Sequence, residues 1–162
     1  MSPRAASRLE SLGFTRVFDY VAGEADWLAF GLPTEGDNAD MPRAAQAAQR
    51  DVPTCVLTDQ SGAVRDRLRG GGWELCVVVN ERGVVLGRVR VDALDGKPEQ
   101  TIDALMEAGP TTVRPDESLA ALVLRMRDRK TRSVIVSTSD GVLVGVLRRD
   151  DAERELADQE NA

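Results

Sequence analysis

Apolar residues recur at two periods along this chain. Leu119, Leu122, Val123 and Met126 stand at i, i+3, i+4 and i+7, one face of a helix beginning near Ser118. Val64 and Leu68 keep part of that face in a helix beginning near Ser61. Asp116 or Ser118 is placed to cap the later helix. Leu75–Val79 and Ser133–Val136 are near-continuous apolar runs rich in β-branched residues, which predicts strands covered on both faces. Polar turns ending in Gly83 and Gly141 lead into second strands, Val84–Val91 and Val142–Leu147. Short extended pieces, Thr54–Leu57 and Thr112–Arg114, precede the helices, and short helices, Asp92–Leu94 and Arg149–Ala157, close each unit. The order β-α-β-β-α occurs twice and predicts an α/β fold.

The two units also match residue by residue. Val52-Pro-Thr-Cys-Val-Leu-Thr-Asp59 aligns with Gly109-Pro-Thr-Thr-Val-Arg-Pro-Asp116, and Cys76-Val-Val-Val-Asn80 with Ser133-Val-Ile-Val-Ser137, at an offset of 57. Gly83-Val-Val-Leu-Gly-Arg-Val-Arg90 aligns with Gly141-Val-Leu-Val-Gly-Val-Leu-Arg148 at an offset of 58, which predicts one inserted residue in the intervening turn.

These repeats, and above all Asp140-Gly-Val-Leu-Val-Gly-Val-Leu-Arg-Arg-Asp-Asp151, resemble a tandem pair of cystathionine-β-synthase-type (CBS) domains, a Bateman module. The resemblance covers about two-thirds of the chain. It divides the chain into an N-terminal extension and linker at 1–50, a first repeat at 51–104 and a second repeat with C-terminal helix at 105–162. It implies two β-α-β-β-α repeats packed as a pseudo-twofold pair. It also implies a regulatory role with no catalysis, two clefts that commonly take adenosine nucleotides, and a flat homodimer. Carried onto this chain, the family's ribose carboxylate is Asp151, and Arg148 stands where the family has a threonine. Arg148 or Arg149 is then the phosphate contact, Thr112 and Val113 meet the base by their backbone, and Ile135 lines the cleft. In the first repeat Ala93 occupies the ribose position, Arg90 the threonine position, and Asp92 is one residue displaced. The expectation is one main site, for an AMP-, ADP- or ATP-type ligand, with no required cofactor. The alternative is a ligand-free module for dimerisation or for an unidentified protein partner.

Upstream, Arg4–Leu12 is expected as a helix ending at Gly13, Arg16–Tyr20 as a strand, Glu24–Phe30 as a second helix and Thr34–Gln49 as a linker. Leu9-x-x-Leu-Gly-Phe14, Val17, Val21-x-Gly23, Asp26-Trp27 and Phe30-Gly-Leu-Pro33 resemble the C-terminal end of a rhodanese domain. The upstream loop that would carry its nucleophilic cysteine is not represented in Met1–Ser7, so sulfurtransferase chemistry is not expected. Phe14, Phe18 and Trp27 are expected to be covered by the repeats or by a partner subunit.

Composition then narrows the chemistry. The 162 residues carry 42% apolar and 4% aromatic residues, so the core must be built from Val, Leu, Ile and Ala. The net charge of −6 argues against a nucleic-acid partner. With no histidine, Ser-His-Asp and Cys-His catalysis and histidine metal sites drop out. Cys55 and Cys76 lack the spacing of a zinc or redox motif and read as reduced, buried thiols, so no metal is expected. Gly70-Gly-Gly72 is a helix stop, because no Lys-Ser or Lys-Thr follows to make a phosphate loop. No secretory h-region or membrane-length apolar run is visible, and the expected location is the cytoplasm.

Overall fold

The computed structural model describes residues 2–21, 23–36 and 39–160. Residues 37 and 38 of the expected linker, and the last two of the chain, lie outside them. Two helices come first, α1 (Ser2–Ser11) and α2 (Gly23–Ala29), then a short helix α3 (Ala44–Ala47). The first repeat runs β1 (Thr54–Cys55), α4 (Ser61–Gly71), β2 (Leu75–Val79), β3 (Val85–Arg90) and α5 (Val91–Leu94). A 3-10 turn (Ile102–Ala104) and β4 (Glu107–Ala108) connect to the second repeat. That repeat runs β5 (Thr112–Val113), α6 (Leu119–Asp128), β6 (Ser133–Ser137), β7 (Leu143–Arg148) and α7 (Arg149–Glu160).

The repeat elements form where their periodicity places them, and three apolar clusters explain why. Cys76 and Val78 of β2 face α4, where they pack with Val64 and Leu68. Leu75 and Val77 point the other way, into a cluster with Ile135 and Val146 that lies between the two sheets. Val136 and Leu147 face α6 and its Leu119, Leu122, Val123 and Met126. Each central strand is thus buried on both faces, which the continuous apolar runs require. β1 and β5 pair parallel with β2 and β6, and β3 and β7 pair antiparallel with them.

One register relates the halves throughout. Ser61 and Leu119 start the long helices, Leu75 and Ser133 the central strands, and Val85 and Leu143 the last strands, each pair 58 residues apart. The inserted turn residue expected from the sequence is therefore not there, and the 57-residue match of Pro53 with Pro110 is coincidental. Two features fix the 58-residue register independently. The ion pair Arg67–Asp59 (2.8 Å) recurs as Arg125–Glu117 (2.5 Å). Across the pseudo-twofold axis the amide of Val85 donates to Gly141 O, and the amide of Leu143 donates to Gly83 O, both at 2.9 Å.

The segment entering each repeat belongs structurally to the other one. β4 pairs with β3 of the first repeat, Gly87 opposite Ala108 and Arg88 opposite Glu107. In the second repeat Gln49 bridges Val146, and its amide and carbonyl exchange hydrogen bonds with that residue at 2.9 and 3.0 Å. Ala44 and Ala48 pack in the core beneath α6, while Ile102 packs in the core beneath α4. Residues 42–49, read in the sequence as linker, are thus a buried edge of the second repeat. The same exchange ends the capping expectation. Ser118 occupies the N-cap position without a side-chain capping bond. Instead the amide of Leu119 donates to Pro42 O and that of Ser61 to Gln100 O, both at 2.9 Å. Incoming backbone thus accepts from the first amide of each long helix, which has no partner within the helix.

Gly87 and Gly145 hold the room for these crossings. A Cβ on Gly145 would collide with the carbonyl of Gln49, and one on Gly87 with Met106 Sδ at 2.7 Å and Glu107 O at 2.9 Å.

The N-terminal region departs from one expectation and narrows another. Residues 16–20 form no strand, since an extended segment with no ladder neighbour leaves its backbone groups to water. Phe14 and Phe18 are 60% and 84% exposed, so the repeats do not cover them. Trp27 is partly sheltered. Its ring meets Tyr20 edge-on at 5.4 Å, and its Nε1 donates to Pro33 O at 2.8 Å. No helix among the described residues is long and apolar enough to cross a membrane.

Candidate functional site

Because the sheets pack face to face, the ends of their strands open two clefts related by the pseudo-twofold axis. Glu74 and Leu75 from one half and Arg132 and Ser133 from the other form the partition and line both. The first cleft, about 760 Å³, lies between the end of β3 and the start of β5 with the end of α6. The second, about 540 Å³, lies between the end of β7 with the start of α7 and the end of α4.

The residues singled out in the sequence divide between these places. Arg148, Arg149 and Asp151 line the second cleft. Thr112 and Val113 line the first. Ile135 is 3% exposed and belongs to the cluster between the sheets. The single constellation expected from the sequence is therefore two half-sites. The reason is geometric: β5 and β7 flank β6 on opposite sides, so Thr112 and Arg148 cannot face the same cleft.

In the second cleft, Asp151 stands in the first turn of α7 with 20% of its side chain exposed. Its Oδ2 accepts a hydrogen bond from Gln49 Nε2 at 2.5 Å, and its Oδ1 pairs with Arg154. The Arg154 side chain is 72% exposed, so that pair is a weak, displaceable contact. Opposite, the Arg148 guanidinium lies 4.1 Å from the ring centre of Trp73 and reaches Gly72 O at 3.4 Å. A flat indole face, a planar cation and a carboxylate thus share one small cleft. Arg132, Arg148, Arg149 and Arg154 face Glu74, Asp150 and Asp151 there, so charge is nearly balanced.

The first cleft is built differently from equivalent positions. Ala93 stands 58 residues before Asp151 and packs on the first core, so no carboxylate takes that role. Arg88 and Arg90 project from β3 and share Glu107, at 2.7 and 3.5 Å. The hydrogen bond from Arg88 is the main cause holding the Glu107 carboxyl below its ordinary range. Arg114 follows β5 and donates to the Ser137 hydroxyl at 3.1 Å, and Arg125 meets Glu117. Arg129, Lys130 and Arg132 complete the wall, and among the described residues no carboxylate pairs with any of the three.

Sequence reasoning missed Trp73 and Gln49. Trp73 follows the glycine-rich helix stop, where only the folded turn shows that it faces α7. Gln49 fell in the supposed linker, yet it stands 58 residues before Glu107, a signal the register offers once the true offset is known. The two cysteines lie outside both clefts. Both are free and buried. The hydrogen bond between them lowers the Cys55 thiol, while that same bond and burial push Cys76 upward.

Comparisons with known proteins agree with this architecture. Residues 102–158 match the CBS domain. The cytosolic domain of the Mg2+ channel MgtE in complex with ATP is similar at a TM-score of 0.64 and 20% identity, over 72% of this chain and 50% of that one. The chain thus spans half the length of that relative. The CBS domains of a transcriptional regulator from Streptococcus pneumoniae are similar at a TM-score of 0.57 and 27% identity, over 63% of this chain and 86% of that one. The CBS domain pair of protein MJ0100, in complex with 5-methylthioadenosine and S-adenosyl-L-methionine, gives a TM-score of 0.62 and 17% identity over 74% and 98%. No curated protein matches the chain in sequence. The fold is that of a CBS-domain pair.

Proposed function

We propose that the chain is a regulatory module, without catalytic activity of its own, that takes an adenosine nucleotide or a related adenosine metabolite in the cleft of Asp151. The observation that carries this reading is the carboxylate of Asp151, held at the start of α7 by Gln49 and facing the Trp73–Arg148 stack. A carboxylate accepts from both hydroxyls of a ribose, and Arg154 is the partner it would release. The stacked planes of Trp73 and Arg148 offer a flat wall for the base, and Arg148 and Arg149 supply charge-assisted donors for phosphate. The MJ0100 pair with its two adenosine-derived ligands, and the MgtE domain with ATP, support the ligand class. Such a ligand acts by favouring one arrangement of the halves, since only differential affinity shifts an equilibrium. Calorimetric titration of the full chain with AMP, ADP, ATP and S-adenosylmethionine tests the reading. Binding by one of these should weaken about tenfold or more in Asp151→Ala, as expected for a lost charge-assisted hydrogen bond. Unchanged affinity in that variant sinks the site.

A second reading, a ligand-free module for a protein partner or for homodimerisation, draws on the N-terminal region. Phe18 and Val21 are 84% and 91% exposed there. If Phe14→Ser with Phe18→Ser shifts sedimentation from dimer to monomer while nucleotide binding stays, the region is an assembly surface.

A further inference from the structure

The first cleft carries a charge pattern that the nucleotide reading does not use. Of the cations lining it, Arg88, Arg90 and Arg125 have carboxylate partners. Arg114, Arg129, Lys130 and Arg132 have none among the described residues. This excess of positive charge sits in a chain whose net charge is −6. Like charges gathered on low-dielectric walls repel one another and focus a field into the cleft.

Backbone conformation gives a second sign. Lys130 is the only non-glycine residue with positive φ among the described residues, at 53°. Its equivalent 58 residues earlier is Gly72, at φ 65°, which caps α4 in the left-handed conformation. Glycine reaches that conformation without strain, whereas a lysine costs about 1 kcal/mol there. The second repeat thus places a strained cation where the first has the unstrained residue. Lys130 lines the cleft together with Arg129 and Arg132.

We propose that this cleft is a separate site for a polyphosphate chain, recognised by charge and not by a nucleoside. Arg129, Lys130 and Arg132 are its main contacts, and Arg88 and Arg114 line the same cleft. Ala93 leaves no carboxylate at the ribose position, while Arg129, Lys130 and Arg132, with which no carboxylate pairs among the described residues, match a run of phosphates, which arginine forks and a lysine point charge bind well. The chain could be inorganic polyphosphate or the triphosphate end of a nucleotide. The proposal does not depend on the Asp151 reading, since the two sites share only the partition.

The probe is sodium tripolyphosphate, titrated calorimetrically into the full chain, with ATP and adenosine alongside. Saturable tripolyphosphate binding, weakened as salt screens it, is the expected result. Lys130→Gly should lower that affinity about tenfold, one charge-assisted contact, while raising the melting temperature of the free protein. A purely structural role for Lys130 cannot give that opposition of signs. Arg129→Ala should weaken binding similarly, and Asp151→Ala should leave it unchanged. ATP binding at this site as tightly as tripolyphosphate identifies the triphosphate end as sufficient. Adenosine binding there as tightly as ATP overturns the proposal, as does no tripolyphosphate binding. Binding lost in Asp151→Ala but kept in Lys130→Gly overturns it too, by placing the anion in the other cleft.

Discussion

The two clefts are made from the same elements in the same register, yet they offer different chemistry. At one pair of equivalent positions the second repeat has Asp151 and the first has Ala93. At another, the second cleft has Trp73, stacked under Arg148, and the first has Thr131. At a third, Gly72 faces Lys130. The backbone tolerates these changes because Trp73 and Ala93 pack only at the partly buried edge of the apolar clusters, and Gly72, Lys130, Thr131 and Asp151 belong to none of them. Duplication gives two similar scaffolds, and substitution at a few rim positions is enough to make one cleft balanced and the other cationic.

Whether the halves are also mechanically equivalent can be tested. The largest expected effect is at Ile102, fully buried beneath α4, whose counterpart under α6 is Ala44. Ile102→Ala should cost about 2–5 kcal/mol in chemical denaturation, the range for emptying a packed aliphatic site. Because Leu75, Val77, Ile135 and Val146 form one cluster between the two sheets, the unfolding transition should stay single. Two separated transitions would show that the halves are independent and break the comparison.

Next come the crossing glycines. Gly145→Ala drives a methyl into the Gln49 carbonyl and should cost about 1–3 kcal/mol, the usual range for overpacking. Gly87→Ala meets first the flexible end of Met106, so it should cost less. Equal losses would mean that the Glu107 backbone is as unyielding as Gln49. Gly145→Ala should also weaken nucleotide binding at Asp151, since Gln49 positions that carboxylate.

The smallest effect concerns Glu107. Its folded pKa lies below the ordinary value because Arg88 and Arg90 hold the carboxylate. Its contribution is therefore present at neutral pH and is lost as pH falls through the folded pKa. Glu107 is exposed, so the slope should be shallow, and Glu107→Gln should remove it from the acid limb of the melting-temperature profile.

Much of this was legible in the chain. The alternation of helical and strand periods located all five elements of both repeats to within a few residues, because burial on one helical face or two strand faces leaves a local pattern. The resemblance carried by Asp140–Asp151 pointed to Asp151 and Arg148, which do share a cleft. Residues 42–49 were opaque for a physical reason. Their role is non-local pairing with β7, and a short alanine-rich stretch bears no periodic mark of it. The misaligned offset had a similar origin, since a shared Pro-Thr is weaker evidence of register than strand pairing, which only the folded chain displays.

By itself, then, the sequence determined the elements, the duplication and the residue types available for chemistry, all of which follow from local periodicity and identity. Tertiary structure alone decided which edge each entering segment completes and how Thr112 and Val113 part from Arg148 and Asp151. It also gathered cations from β3, β5 and α6 around one cleft. Those outcomes depend on which side of a central strand each neighbour takes and on how two twisted sheets meet, and a linear chain encodes neither in any single stretch.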